Sequence, residues 1–168
     1  MNTTLELSLR ALFIGAGATF TIDVWAALLR RFDVPSLDFA LLGRWVGHLP
    51  QGRFRHERIA NAAPVVGERA LGWLTHYAIG VSFAALLLAS CGLAWAHAPT
   101  LGPALLLGVG TVVAPLFVLQ PALGAGIASS KTPRPVFNTL KSLTTHVVFG
   151  VGLFLAASLG ARLFPHFG

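Results

Sequence analysis

The chain has 168 residues, of which 55% are hydrophobic and only 11% are charged. Soluble domains ordinarily carry roughly a quarter charged residues, so the composition argues against a soluble globular protein. The net charge of +6 would suit a nucleic-acid-binding protein, but membrane topology explains the positions of the basic residues more simply. We therefore expect a multi-pass membrane protein whose partner is the lipid bilayer, with no role in nucleic-acid binding.

Four apolar stretches are long enough to cross a bilayer, which takes about 18 or more apolar residues. They lie at about 7–29, 70–95, 103–123 and 136–164. Glu6 precedes the first basic residue, unlike the positive start of a signal peptide, so we expect the first stretch to belong to the mature protein. The predicted fold class is an all-α membrane protein with four transmembrane helices in one domain.

The connection between the first two spans predicts a short interfacial helix at about 36–48. Ser36 is the expected N-cap, and Leu42 and Trp45 belong to an apolar face. One interpretation is a cap over the cytoplasmic mouth of the bundle that binds an anion or a lipid headgroup. Its members would be Arg44, His48, Arg53, Arg55, His56, Glu68 and Gln120. The alternative, which we favour, is a solvated basic loop that only sets topology.

The basic residues indicate how the chain is oriented. Ten of the twelve Lys and Arg residues lie in or beside the connections between spans one and two and between spans three and four. The positive-inside rule makes both connections cytoplasmic and both termini external.

Two short stretches recur in the sequence. ALFIGAG at 11–17 resembles ALLLGVG at 104–110, and THYAIGV at 75–81 resembles THVVFGV at 145–151. Spans one and two then form one helical hairpin and spans three and four a second hairpin of the same orientation. Such a duplication predicts a pseudo-two-fold axis along the membrane normal.

Each repeated histidine lies in a row of small residues at i, i+4 spacing, which places the row on one helix face. His76 lies between Gly72 and Gly80, and His146 has Ser142 and Gly150 in the matching positions. Small residues favour close contact between membrane helices, so both histidines are expected to point inward. Asp23 lies at a similar depth, and we predict one polar layer of Asp23, His76 and His146.

Three functions remain open for this layer. Ionisable groups inside a membrane commonly mark proton or ion pathways, which favours a small-solute, ion or proton transport or relay protein. Alternatively, His76 and His146 ligate haem or a metal ion between helices. In the third, the histidines only hydrogen-bond, and the protein is a structural or assembly subunit, with a homodimer as one expected form. No GxSxG, HExxH or CxxC motif supports an enzyme, so an enzymatic role is not favoured.

Six motifs along nearly the whole chain resemble one known family. They are IDVWA, GRWVGH, RFRHERIA, GERALGWLTHYAIGV, LQPALGAGIASSKTP and SLTTHVVFGVGL, and they resemble the bacterial domain-of-unknown-function family 2938. The resemblance implies a multi-pass protein of the bacterial inner membrane and no established activity. It marks Asp23, Arg44, His48, His56, Glu68, His76 and His146 as motif members only.

Overall fold

The computed structural model describes residues 2–164. Over that range it contains helices and no strand. The six α-helices are α1 (Thr3–Arg30), α2 (Phe39–His48), α3 (Glu68–His97), α4 (Leu101–Gly110), α5 (Gln120–Leu123) and α6 (Pro135–Leu163). A π-helix at Ala114–Leu119 precedes α5, and single 3₁₀ turns lie at Leu49–Gln51, Ile59–Asn61 and Ile127–Ser129.

Within the described part of the chain, four helical segments are long and apolar enough to cross a membrane. They are Thr3–Arg30, Glu68–His97, Leu101–Leu123 and Pro135–Leu163. The prediction of an all-helical chain with four such helices is therefore confirmed. The segments at Thr3–Arg30 and Glu68–His97 begin before the apolar stretches that predict them, because polar residues continue the helices. The side chain of Asn2, for example, accepts a hydrogen bond from the backbone N–H of Thr4 at 3.0 Å and so caps α1.

The long helices run alternately between two ends of the bundle. We call the end with residues 31–67 and 124–134 the loop end, and the end with residues 2–6, 98–100 and 164 the terminal end. Helices α1 and α6 pack along each other, with α3 against α1 and α4 against α6. The predicted two-fold axis would relate the α1–α6 contact to an α3–α4 contact, but α3 and α4 touch only weakly. The symmetry stays a prediction.

Glycine allows the helices of each pair to approach closely. A Cβ atom on Gly15 of α1 would lie 2.8 Å from the carbonyl oxygen of Gly80 in α3. A Cβ atom on Gly108 of α4 would lie 2.6 Å from the backbone nitrogen of Gly150 in α6. Side chains essentially never come this close, so both contacts need glycine. In lipid, where helices gain no hydrophobic driving force from meeting, such packing holds them together.

Helix α2 begins later than the sequence suggests. Its N-cap is Asp38, whose carboxylate accepts a hydrogen bond from the N–H of Ala40 at 2.9 Å. The prediction that Ser36 caps this helix is wrong, because residues 36–38 precede the first helical turn and the Ser36 hydroxyl accepts from Arg30 instead, at 3.1 Å. Gly43 of α2 then packs directly on the backbone at the start of α3. The helix is therefore attached to the bundle at the loop end.

A buried ion-pair network joins three helices at the terminal end. The Nε of Arg10 donates to Glu6 Oε1 at 2.7 Å, and Nε2 of His97 lies 3.2 Å from the same oxygen. Arg10 also donates to the carbonyl oxygen of Phe164, just beyond α6, at 3.4 Å. Glu6 and Arg10 are only 5% and 4% exposed. In the sequence, the signal for this pair is the i, i+4 spacing of Glu6 and Arg10.

The glycine contact between α4 and α6 predicts a stability difference between two neighbouring substitutions. Gly108→Ala pushes the new methyl group into α6, and overpacking of this kind costs about 1–3 kcal/mol. Gly110→Ala is the matched control, because a Cβ there meets nothing within 4 Å. We expect the thermal unfolding midpoint of detergent-purified protein to fall for Gly108→Ala only. Equal midpoints for the two variants would contradict the close contact.

The terminal-end network predicts a second stability effect. Arg10→Met leaves Glu6 buried without its main partner, and breaking a buried pair in this way costs about 3–5 kcal/mol. Arg31→Met, at an exposed position, is expected to change the unfolding midpoint little. Adding Glu6→Gln to Arg10→Met removes the unpaired charge, so the double variant should recover part of the lost stability. A double variant less stable than Arg10→Met would argue against this account.

Candidate functional site

A cavity of about 630 Å³ enters the bundle from the loop end. Its walls come from α1, α2, α3, the π-helix, α5 and α6. On α6 the lining runs from Asn138 to Phe149, which is roughly 16 Å at a rise of 1.5 Å per residue. The cavity therefore reaches about halfway through a hydrocarbon core of about 30 Å.

The cavity ends where the helices become tightly packed. Its innermost lining residues are Thr19, Phe83 and Phe149. On the side of the terminal end, the buried side chains of Ile14 and Leu153 belong to the apolar core, and the Glu6–Arg10–His97 network lies beyond them. A second cavity, of about 910 Å³, lies toward the terminal end, with Glu6, Arg10 and Ile14 in its lining.

The π-helix supplies one wall of the cavity. Pro115 lacks a backbone N–H and cannot continue an ordinary α-helical ladder, and the backbone widens into a π-helix at Ala114–Leu119. Before it, the Thr111 hydroxyl donates to the carbonyl oxygen of Gly108 at 2.7 Å. Ala114, Pro115, Val118 and Leu119 all line the cavity. Turns of π-helix frequently mark functional sites.

Asp23 of α1 and His76 of α3 meet beside the cavity. Nε2 of His76 lies 3.0 Å from Asp23 Oδ1, and both side chains are 16% exposed. The hydroxyl of Tyr77 donates to Asp23 Oδ2 at 2.8 Å. Both carboxylate oxygens therefore have a partner. The repeat does not identify Tyr77 as a site residue, because its counterpart in the second histidine stretch is Val147.

Aromatic side chains cover His76. The ring centroid of Phe39, at the start of α2, lies 4.4 Å from that of His76 and 4.4 Å from that of Trp73. Because these rings keep water away from one side of the Asp23–His76 pair, the attraction between the pair is stronger than it would be in bulk water. Helix α2 is therefore part of the site as well as of the loop end.

His146 has a different partner from His76. Its Nδ1 lies 2.9 Å from the Thr111 hydroxyl oxygen and 3.3 Å from the carbonyl oxygen of Gly108. Asp23 therefore pairs with His76 and forms no hydrogen bond with His146. The two histidines nevertheless line the same cavity. Each has one ring nitrogen that bonds no other residue among those described, Nδ1 in His76 and Nε2 in His146.

A polar group surrounds the cavity at the loop end. Gln120 donates to the Ser142 hydroxyl at 3.1 Å and accepts from Ser129 at 3.0 Å. Lys141 donates to the carbonyl oxygen of Pro35 at 2.6 Å, which bridges from α6 to the segment after α1. All five residues line the cavity. In the sequence, Lys141 is one of the ten basic residues that set the topology, and no sequence pattern places it in a cavity wall.

Most residues of the predicted mouth lie elsewhere. Arg44 makes a two-pronged ion pair with Glu68, at 2.8 Å in each prong, and also donates to the carbonyl oxygens of Ala60 and Ala62. The hydrogen bond to Glu68 raises the pKa of Arg44. With its donors occupied in this way, Arg44 holds α2 and the following loop onto α3.

The remaining members of that set are distributed over the loop end. His48 is buried, with Nε2 3.0 Å from the carbonyl oxygen of Ala63, and its ring centroid lies 5.2 Å from that of His56. Arg53 and Arg55 are exposed. Of the seven predicted mouth residues, only Gln120 lines the cavity. Within residues 2–164, no group of three or more His, Cys, Asp and Glu side chains is arranged to hold a metal ion.

Comparison with known proteins gives a family and no activity. Residues 12–160 match the model of the family described as Protein of unknown function (DUF2938). No curated protein and no solved structure matches the chain. The family match spans most of the chain and agrees with the resemblance of the six motifs. The protein therefore belongs to the DUF2938 family of proteins of unknown function.

Proposed function

We propose that this protein transports a small solute across the bacterial inner membrane, with a proton carried by the Asp23–His76 pair. The single observation that carries the proposal is a cavity inside the bundle whose wall contains His76, held by Asp23 at 3.0 Å. Intramembrane ionisable pairs commonly mark proton and solute pathways. The loop end faces the cytoplasm and both termini are external, because ten of the twelve basic residues lie at or near the loop end.

The hydrogen bonds around His76 support a relay. An imidazole changes charge near neutral pH, and a neighbouring carboxylate favours its protonated form. Asp23 holds Nε2 of the ring, and Nδ1 bonds no other described residue. A proton that arrives from the cavity binds at Nδ1, and Asp23 compensates the new charge. Tyr77 holds the second oxygen of Asp23 and so fixes the carboxylate in place.

Two separate cavities toward the two ends of the bundle support alternating access. The cavity lined by His76 lies toward the loop end, and the second cavity, lined by Glu6, Arg10 and Ile14, lies toward the terminal end. Transporters built from repeats expose a central site by rocking one repeat against the other. The equivalent glycine contacts, Gly15 with Gly80 and Gly108 with Gly150, support two hairpins of the same orientation that move as units.

A second candidate function is the binding of haem or a metal ion by His76 and His146. Metal-bound histidines usually donate their other ring nitrogen to a carboxylate or a carbonyl oxygen. Asp23 at His76 and Gly108 at His146 provide partners of this kind. The optical spectrum and metal content of protein purified without added cofactor test this candidate. A Soret band that is lost in His76→Ala and His146→Ala would establish haem in place of the transport role.

The relay predicts proton movement that depends on Asp23. Protein reconstituted in liposomes with an entrapped pH-sensitive dye is expected to take up protons when a potassium gradient and valinomycin supply the driving force. Asp23→Asn removes the charge that compensates protonated His76, so we expect uptake to fall at least about tenfold, as for loss of one charge-assisted bond. Asp33→Asn is the matched control, because Asp33 is exposed and lines no part of the cavity.

Two results would contradict the relay. One is proton uptake no faster than in protein-free liposomes. The other is unchanged uptake in both Asp23→Asn and His76→Gln. If both variants unfold at the same temperature as the unmodified protein and only uptake changes, a purely structural role for the pair is excluded as well.

A further inference from the structure

We propose that the cavity binds a compact organic acid, an apolar body with one carboxylate, and that the carboxylate lies at Lys141. This ligand would be the substrate of the proposed transport function, and only its movement across the membrane rests on that function. The binding itself is argued from the charge, the polarity and the size of the cavity.

The charge of the lining favours an anion. The cavity is lined by Lys141 and two histidines and by no Asp or Glu among the described residues. Asp23 is not among the lining residues, and its carboxylate is paired with His76. Lys141 makes no ion pair within residues 2–164, and its ammonium group donates to the carbonyl oxygen of Pro35. An ammonium group has three N–H donors, so donors remain for a ligand.

The lining also changes in polarity with depth. Near the loop end it contains Lys141 with the hydroxyl and amide groups of Gln120, Ser129, Asn138 and Ser142. Toward the middle of the bundle, Ile79, Phe83 and Phe149 give it an apolar surface beside Thr19 and the two histidines. A ligand that matches both parts has a polar head at the loop end and a hydrocarbon or aromatic body directed inward. Apolar walls with a few placed polar groups are typical of small-molecule sites.

An unpaired hydrogen-bond donor in the cavity wall favours a ligand whose polar head only accepts hydrogen bonds. Trp25 lines the cavity, and its Nε1 is buried without a hydrogen-bond partner among the described residues. A buried donor without a partner costs free energy, and the indole N–H can only donate. An ionised carboxylate only accepts, so it suits both Trp25 and Lys141. An ammonium head would leave both donors unsatisfied.

The size of the cavity favours a compact ligand. Its volume of about 630 Å³ lies within the range of about 300–1,000 Å³ found for small-molecule pockets. A molecule with a single short chain or one ring fits such a space as a whole. A two-chain phospholipid has the same kind of anionic head, but only a part of it could enter. We therefore commit to a free acid, and anionic lipid is an outcome of the test.

Equilibrium binding of radiolabelled octanoate to immobilised, detergent-purified protein tests the inference. We expect unlabelled octanoate to displace the label, and octanamide and octylammonium, which have the same chain length, to compete at least about tenfold more weakly. Equal competition by octanamide, or stronger competition by octylammonium, would overturn the inference. Absence of saturable octanoate binding would overturn it too. So would displacement by phosphatidylglycerol at concentrations far below those of octanoate, since this would assign the cavity to a lipid.

Substitutions at Lys141 separate its charge from its packing. Lys141→Met is expected to weaken octanoate binding about tenfold or more and to leave octanamide binding unchanged. Lys141→Arg keeps the charge and should retain the preference for octanoate over octanamide. This variant shows whether position 141 tolerates substitution, so that a loss of binding in Lys141→Met is not mistaken for a failure to fold. Lys131→Met is the matched control, because Lys131 is an exposed lysine at the loop end outside the lining. Equal octanoate affinity in Lys141→Met and Lys131→Met would refute the assignment of the carboxylate.

The outcome can be told apart from that of the transport proposal. Octanoate binding that depends on Lys141, without proton uptake in liposomes, would keep the ligand assignment and remove the transport function. Proton uptake that depends on Asp23, without any preference for the acid over the amide, would keep the relay and remove the ligand assignment.

Discussion

The close approach of glycine backbones is the contact on which the rest of the structure depends. In a membrane, apolar side chains gain little from leaving lipid for protein, so helices associate where small residues let their backbones meet. Gly15 with Gly80 and Gly108 with Gly150 provide this contact within each helix pair. His76 lies one turn of α3 nearer the loop end than Gly80. The same close approach of α1 and α3 brings its Nε2 to 3.0 Å from Asp23 Oδ1. Larger residues at these positions would separate the helices and, with them, the charged pair.

The parts of the site that could be predicted from the sequence are those that follow from local spacing. The rows around His76 and His146 identified inward faces, because i, i+4 periodicity is fixed by the helix itself. The depth of Asp23 followed from counting residues along α1. These inferences used one helix at a time, and the structure places Asp23 beside His76.

The parts that could not be predicted depend on how separate helices pack. Lys141 is a topology-setting charge in the sequence, and only the position of α6 beside the segment after α1 makes it part of the cavity wall. Arg44 and Glu68 are 24 residues apart, and they meet because α2 folds back onto the start of α3. Arg10 lies outside the two basic connections, and it is buried against Glu6 and His97 at the terminal end because α1 packs beside α3 there.

The π-helix has a consequence for how far the two hairpins can remain alike. A π-helical turn uses about one residue more than an α-helical turn, so everything beyond it is rotated by about 100° around the helix axis. The equivalent part of α1 is regular α-helix. It contains Asp23, which the repeat aligns with Leu116 of the π-helix. Gln120 directly follows the π-helix and donates to Ser142. The second hairpin thus differs from the first in the rotation of its side chains around the helix axis as well as in their identity. A single-residue deletion within Ala114–Leu119 would reverse this rotation and turn Gln120 out of the cavity wall.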